Sequence, residues 1–133
     1  LKRNLELNNT KFKIYNGNLL LNDKEKKKYY YKSDNFLANS NYRKSRFKIK
    51  FKNIYYKKIK NLNKFNTLII DGEGAEEHYI NNLSKMPNIK YIFFEFHNDI
   101  FKKETKIKLF KKLVKKGFKL KDSFLNSYFF IKG

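Results

Sequence analysis

The sequence predicts an α/β fold with a parallel sheet, and the order of patterns in its second half carries that prediction. The short apolar run Thr67–Ile70 is typical of a strand buried on both faces of a parallel sheet. A helical pattern follows it, and then a second apolar strand at residues 91–96. An amphipathic helix at residues 104–116 and two closing strands at residues 118–120 and 127–131 complete the order. Strands that alternate with helices indicate one α/β domain over residues 1–133.

Each predicted helix has an apolar side and a natural end. The first should end at Pro87. Its apolar side should consist of Ala75, Tyr79, Ile80, Leu83 and Met86. The second should stop at Gly117. Its inward side chains should be Ile107, Phe110, Leu113 and Val114. The last two strands should form an antiparallel hairpin through a loop at residues 122–126.

Strands are also predicted in the first half of the chain, at residues 11–21, 26–31 and 46–55. In the first of these, Phe12, Ile14 and Leu20 should turn inward. The third strand alternates apolar and lysine side chains, which is typical of a half-buried strand. A short helix at residues 1–8 precedes them.

Composition excludes several classes of protein. The absence of cysteine rules out disulfides and thiolate metal sites, and no apolar run approaches the length of a membrane span. The first residues lack a signal-peptide layout, so we expect a cytoplasmic protein without a membrane span. The chain also lacks an initiator Met, which suggests that it begins partway into a longer protein. The sequence leaves the oligomeric state open.

The formal net charge of +20 raises a nucleic-acid-binding interpretation. Only three of the 32 basic residues are arginine, the side chain that makes bidentate contacts with phosphate and guanine. Lysine is spread along the chain with Asn, Ile, Phe and Tyr, which share A/T-rich codons, so genome composition is the simpler explanation. We expect weak, salt-dependent attraction to polyanions and no specific nucleic acid. The alternative, a basic module that binds nucleic acid through lysines and exposed tyrosines, stays open.

Acidic and histidine side chains follow both predicted parallel strands. Asp71 ends the first strand at a glycine-containing turn, and Glu95 and His97 end the second. Ligands of open α/β sheets bind outside the carboxyl ends of the strands, so one crevice should be rimmed by Asp71, Glu73, Glu95 and His97. Five of the twelve acids in this basic chain fall at residues 71–77 and at Glu95.

Structural roles are the alternative for each of these residues. Glu73, Glu76 and Glu77 could complement a helix dipole, and Asp71 could cap the helix. His78 lies inside the helix and is better explained as a surface or packing residue than as a ligand. His97 could equally be a satisfied structural histidine.

The motif at this turn resembles a known family. The string I-D-G-E-G-A-E at residues 70–76, followed by a helix, an apolar strand and E-F-H at 95–97, resembles the FkbM family of S-adenosylmethionine-dependent methyltransferases. Members typically have D-x-E-G-A-E after one strand and E-x-H after the next. Residues 1–8, L-K-R-N-L-E-L-N, resemble the family's L-x-x-N-x-x-L-N helix, and residues 14–19 resemble the strand after it.

This resemblance implies a Rossmann-like class I methyltransferase sheet with a closing antiparallel hairpin. The first strands and the glycine-rich cofactor loop would be absent, because no G-x-G loop precedes residue 1. The chain would then be a single partial methyltransferase domain, and we expect such a fragment to be inactive by itself. The reaction would move a methyl group from S-adenosylmethionine to a hydroxyl oxygen of a sugar, a glycan or a related small-molecule acceptor.

The resemblance also suggests roles for individual residues. Asp71 would act as base or as orienter of the acceptor, and His97 is the second candidate base because histidine changes charge near neutral pH. The acceptor would contact the three glutamates Glu73, Glu76 and Glu95, the first two of which could instead shape the turn. The cofactor would lie near Asn18, Asp71 and Gly72.

Two positions depart from the family pattern, and the metal question stays open. Gly72 replaces a bulky aliphatic residue, which could loosen the turn, and Asn18 replaces a common Ala beside the expected adenine site. We predict no metal. A divalent cation such as Mg²⁺ on Asp71, Glu73 and Glu95 is an alternative that nothing in the sequence demands.

Overall fold

The structure, a computed structural model, describes residues 18–21, 29–32, 47–50, 53–59 and 61–133. The predicted helix at residues 1–8 lies outside the described residues, as do Phe12 and Ile14. No helix in the described part of the chain combines the length and the apolar character that a membrane crossing requires.

Four short strands make two small sheets in the first half of the chain. They are β1 (Asn18–Leu20), β2 (Tyr29–Lys32), β3 (Phe47–Lys50) and β4 (Asn53–Tyr55). Strand β1 pairs in parallel with β4, and β2 pairs antiparallel with β3. Residues 47–50 and 53–55, both within the single strand predicted at residues 46–55, therefore pair with different partners, and residues 51–52 between them lie outside the described residues. Leu20 and Leu21 are buried, which confirms the inward position of Leu20.

A mixed four-stranded sheet lies at the centre of the second half. Its strands are β5 (Thr67–Ile70), β6 (Tyr91–Glu95), β7 (Phe118–Phe124) and β8 (Ser127–Lys132). Their order is β5-β6-β8-β7, with β5 and β6 parallel and β8 antiparallel to both of its neighbours. The predicted α/β class is confirmed, as are the parallel pairing of β5 with β6 and the closing antiparallel hairpin, although the four-stranded sheet as a whole is mixed and not parallel.

The hairpin is tighter than predicted. Strand β7 continues to Phe124 through a bulge between Leu120 and Asp122, so Leu125 and Asn126 alone connect the two strands. The predicted five-residue loop is wrong, because residues 122–124 stay paired with β8.

Two helices cover one face of this sheet. Helix α1 (Glu76–Asn81) is followed by a 3-10 turn at Leu83–Lys85, and helix α2 (Lys103–Lys115) ends before Gly117, whose φ is 84°. A left-handed residue after the helix is the expected glycine stop. The core between helices and sheet is aromatic and aliphatic; it includes Ile70, Ile80, Ile92, Phe94, Leu109, Leu113 and Phe130.

The opposite face of β5 and β6 is open. Ile69 is 74% exposed and Phe93 is 41% exposed, whereas Ile70, Ile92 and Phe94 are buried. The expectation that β5 is buried on both faces is therefore wrong. Both helices pack on the same face, so alternate side chains of each strand point away from the core.

Helix α2 faces the core through a narrower stripe than predicted. Leu109 and Leu113 are buried and Phe110 packs against the core, but Ile107 and Val114 are exposed. Each residue advances about 100° around a helix, which puts Ile107 and Val114 beside the stripe rather than in it. Their predicted inward position is wrong.

Neighbouring residues of α2 give a direct stability test. We expect Leu113→Ala to lower the free energy of unfolding by about 2–5 kcal/mol, since it removes a fully buried side chain. Val114→Ala, at a position 61% exposed, should change it by no more than about 0.5 kcal/mol. Urea unfolding followed by circular dichroism measures both. Equal losses would contradict the orientation of this helix.

Candidate functional site

The parallel pairing of β5 and β6 brings their carboxyl ends to the same edge of the sheet. Ile70 is in register with Phe94, so Asp71 and Glu95 are the next pair of neighbours. Both are exposed and have the strand parity of Ile69 and Phe93, on the open face. Single ligand atoms of Asp71, Glu95 and His97 all lie within 4.8 Å of one another. The structure therefore brings these three side chains together at one edge of the sheet, as the sequence predicts.

A tight turn leads from Asp71 into helix α1. The backbone N–H of Ala75 donates to the Gly72 carbonyl at 3.2 Å, and a Cβ on Gly72 would lie only 2.7 Å from the Cβ of Ala75. The turn is therefore close-packed around Gly72 and not loosened by it. Glu73 has a φ of 49°, in the left-handed region that non-glycine residues rarely adopt. The turn directs the Glu73 side chain back toward the strand ends.

A buried carboxylate holds the histidine of this site. Glu76 is completely buried in the first turn of α1, and its Oε1 lies 2.8 Å from Nδ1 of His97. The backbone N–H of Gly74 donates to the same oxygen at 3.4 Å. When the Glu76 carboxylate is ionised it only accepts hydrogen bonds, and the His97 Nδ1 then carries the hydrogen. Glu76 thus fixes both the orientation and the tautomer of His97.

The other ring nitrogen of His97 points at two more carboxylates. Its Nε2 lies 3.5 Å from Oε2 of Glu73 and 3.8 Å from Oδ1 of Asp71, while the side chain is only 10% exposed. With Nδ1 protonated toward Glu76, a neutral His97 has its lone pair on Nε2. That lone pair can accept a proton or bind a cation.

Negative charge is concentrated here in a chain that is otherwise strongly basic. Four acids, at positions 71, 73, 76 and 95, lie around one imidazole. Within the part of the chain that the structure describes, no lysine or arginine forms a salt bridge with Asp71 or Glu95. Such an edge attracts cations and hydrogen-bond donors.

A shallow hollow of about 280 Å³ adjoins the acidic edge on the open side of the sheet. Its apolar wall includes Ile69 and Phe93, and its polar rim includes Asp71 and Glu95. Ring stacking of Phe93 on Phe129, with centroids 4.1 Å apart, extends the apolar surface. A hollow with apolar walls and a few convergent polar groups is the usual form of a small-molecule site.

The remaining predicted site residues have clear positions. Glu76 has no exposed surface, so it can position His97 but cannot contact an acceptor directly. Helix α1 begins at Glu76 with Ala75 as its cap residue, so Asp71 does not cap it. Asn18 begins β1, paired with Asn53, and its side chain lies outside the described part of the structure. His78 packs its ring against Tyr79 within α1.

The sequence did not predict the apolar wall of the hollow or the hydrogen-bonded pair of Glu76 and His97, called here the Glu76–His97 dyad. The run Thr67–Ile70 predicts a strand buried on both faces, yet Ile69 is 74% exposed. Both Ile69–Ile70 and Phe93–Phe94 are pairs of apolar residues, so the sequence does not distinguish the buried face from the open one. The bond between Glu76 and His97 joins residues 21 positions apart, and no local pattern predicts it.

A second, basic groove lies between the two helices. Its volume is about 540 Å³, and its lining includes four lysines of α2, at positions 108, 111, 112 and 115. Glu77 and Asn81 of α1 form the facing wall, and Lys112 Nζ donates to Asn81 Oδ1 at 2.7 Å. No aromatic side chain is among the residues that line this groove. It offers charge to polyanions but no surface for stacking on bases.

Two adjacent glutamates test the buried dyad. Glu76→Ala removes the acceptor of the His97 Nδ1–H, and we expect a loss of about 1.5–3 kcal/mol in unfolding free energy. Glu77→Ala removes the same charge from the same helical turn but from a partly exposed side chain, so its effect should stay within about 0.5 kcal/mol. Denaturant unfolding of both variants gives the comparison. A Glu76→Ala protein as stable as Glu77→Ala would show that the buried bond contributes nothing.

Comparisons of the chain with protein-family models, with curated proteins and with solved structures found no significant match.

Proposed function

We propose that this chain belongs to a methyltransferase that moves a methyl group from S-adenosylmethionine to a hydroxyl oxygen. The observation that carries the proposal is the convergence of the two motif segments, residues 71–76 and 95–97, on one sheet edge with His97 held by buried Glu76. The motif resemblance and the mixed sheet with its closing hairpin support the same proposal. The wider Rossmann-like assignment, with further strands beside β5, is part of the proposal.

The described residues fit the positive end of this cofactor. When bound, the cofactor supplies a methyl group from a positively charged sulfonium. After the methyl group is transferred, the remainder of the cofactor is a neutral thioether. The carboxylates of Asp71 and Glu95 suit the positive charge of the sulfonium. The hollow beside Ile69 and Phe93 suits the apolar groups bonded to the sulfur. The glycine at position 72 serves the packing of the turn, because a Cβ there would lie 2.7 Å from the Cβ of Ala75.

His97 is the proton acceptor in this proposal. The acceptor hydroxyl gives its proton to Nε2, which leaves an oxygen with a free electron pair for bond formation. Glu76 keeps the ring in place through the Nδ1–H and stabilises the imidazolium that forms. General-base assistance of this kind contributes about 10²–10⁴-fold to rate.

The carboxylates at the rim would position the acceptor. Asp71 and Glu95 are exposed on the open face and can accept hydrogen bonds from neighbouring hydroxyls. An acceptor with several hydroxyl groups, such as a sugar, matches several carboxylates around one base. Precise placement of the reacting oxygen supplies a further part of the rate enhancement.

Nucleic-acid binding is the competing proposal, and the lysine-lined groove between α1 and α2 favours it. It predicts tight, salt-sensitive binding to a surface that combines lysines with exposed aromatic rings. The groove lining lacks such rings, while the acids gather at one sheet edge as the methyltransferase proposal predicts. We therefore favour methyl transfer.

Transfer of a labelled methyl group from S-adenosylmethionine to a panel of sugars and other hydroxyl compounds tests the proposal on the full-length protein. Once an acceptor is found, His97→Gln should lower kcat by about 10²-fold or more, because it removes the base. Cofactor affinity, measured separately by calorimetry, should change little. The other histidine provides the control, and His78→Gln should retain near-normal turnover.

Asp71→Asn tests the rim of the site in the same assay. The substitution keeps the shape of the side chain but removes its charge, so turnover should fall about tenfold or more. Cofactor affinity should fall by a smaller factor, because the Glu95 carboxylate still faces the sulfonium. Unchanged turnover would remove Asp71 from the mechanism. A full-length protein that neither binds the cofactor nor transfers its methyl group would overturn the proposal as a whole.

A further inference from the structure

We infer that Asp71, Glu95 and His97 form a binding site for a divalent first-row transition-metal ion. These side chains bring two carboxylate oxygens and one imidazole nitrogen together from the ends of two adjacent strands. The set differs from the purely acidic one considered for Mg²⁺, since His97 takes the place of Glu73.

The ligand atoms are already nearly close enough. They lie within 4.8 Å of one another, and an ion with bonds of about 2.0–2.2 Å holds neighbouring ligands about 3–3.5 Å apart. Asp71 and Glu95 are exposed and attached to strand ends, so rotation of these side chains can close the remaining distance. His97 is nine-tenths buried and provides the fixed point of the site.

The surroundings of His97 are those of a metal-binding histidine. Ligating histidines usually donate their second ring N–H to a carboxylate, which fixes the tautomer and raises the basicity of the ligand nitrogen. Glu76 does this at 2.8 Å, and its other oxygen, Oε2, is buried without a hydrogen-bond partner. The Nε2 of His97 faces Asp71 and Glu73 at distances too long for strong hydrogen bonds. A bound cation would satisfy this nitrogen and offset the surrounding negative charge.

The ligand set selects the type of ion. Imidazole suits Zn²⁺, Fe²⁺ and similar ions, whereas Mg²⁺ and Ca²⁺ prefer oxygen ligands alone. One nitrogen with two carboxylates, and solvent on the open side, matches a site with free coordination positions. We therefore expect Zn²⁺ to bind more tightly than Mg²⁺.

Metal binding does not rest on the proposed methyl transfer, because it is measured without cofactor or acceptor. Ligation and proton acceptance use the same lone pair of His97, so the two roles exclude each other in any one molecule. In the ion-bound form the ion itself would polarise a bound hydroxyl and favour loss of its proton.

Calorimetric titration of the chain with Zn²⁺ in a non-chelating buffer is the test. The chain has only two histidines and no cysteine, which limits competing sites. We expect one ion per chain, loss of that binding in His97→Gln and unchanged binding in His78→Gln. Equal effects of the two histidine substitutions, or no binding by the unaltered chain, would overturn the inference.

Two further variants keep the test valid if His97→Gln disturbs folding. Glu95→Gln changes an exposed side chain and should weaken Zn²⁺ binding about tenfold or more with an unaltered circular dichroism spectrum. Glu104→Gln, an exposed acid in the first turn of α2, should leave binding unchanged. Displacement of Zn²⁺ by an equal concentration of Mg²⁺ would refute the assignment to a transition metal.

Discussion

The parallel pairing of β5 with β6 is the constraint on which the rest of this structure depends. Its register sets Ile70 beside Phe94, and that alignment alone makes Asp71 and Glu95 neighbours. A shift by one residue would turn one of the two carboxylates toward the core side of the sheet. The register is fixed because Ile70 and Phe94 must both face the helices, so the burial of apolar side chains determines where the acids meet.

Coverage of only one sheet face gives the site its access. Helices α1 and α2 pack on the same side, which buries one set of alternating side chains and leaves Ile69 and Phe93 on the other. The apolar wall of the hollow is therefore a consequence of the helix positions. The acidic rim lies on this open side, while the Glu76 carboxylate reaches His97 from within the protein.

Charge is distributed in two distinct ways in the described part of the chain. Lysines line the helix groove and face solvent, whereas four acids surround one histidine at the strand ends. This separation gives the strand-end edge an electrostatic character opposite to that of the chain as a whole. Proton transfer, cation binding and hydrogen bonding to hydroxyls all make use of that character, which links the two proposals made for this edge.

The sequence by itself determined the order of elements, the glycine stop at Gly117 and the strand-end positions of Asp71 and Glu95. These features follow from local patterns: periodicity, turn residues and the parity of side chains along a strand. Tertiary structure decided which sheet face is open, which strands residues 47–50 and 53–55 pair with and which side chain holds His97. Such outcomes depend on contacts between distant segments, and a carboxylate that pairs with a histidine 21 residues away leaves no periodic signal in the chain.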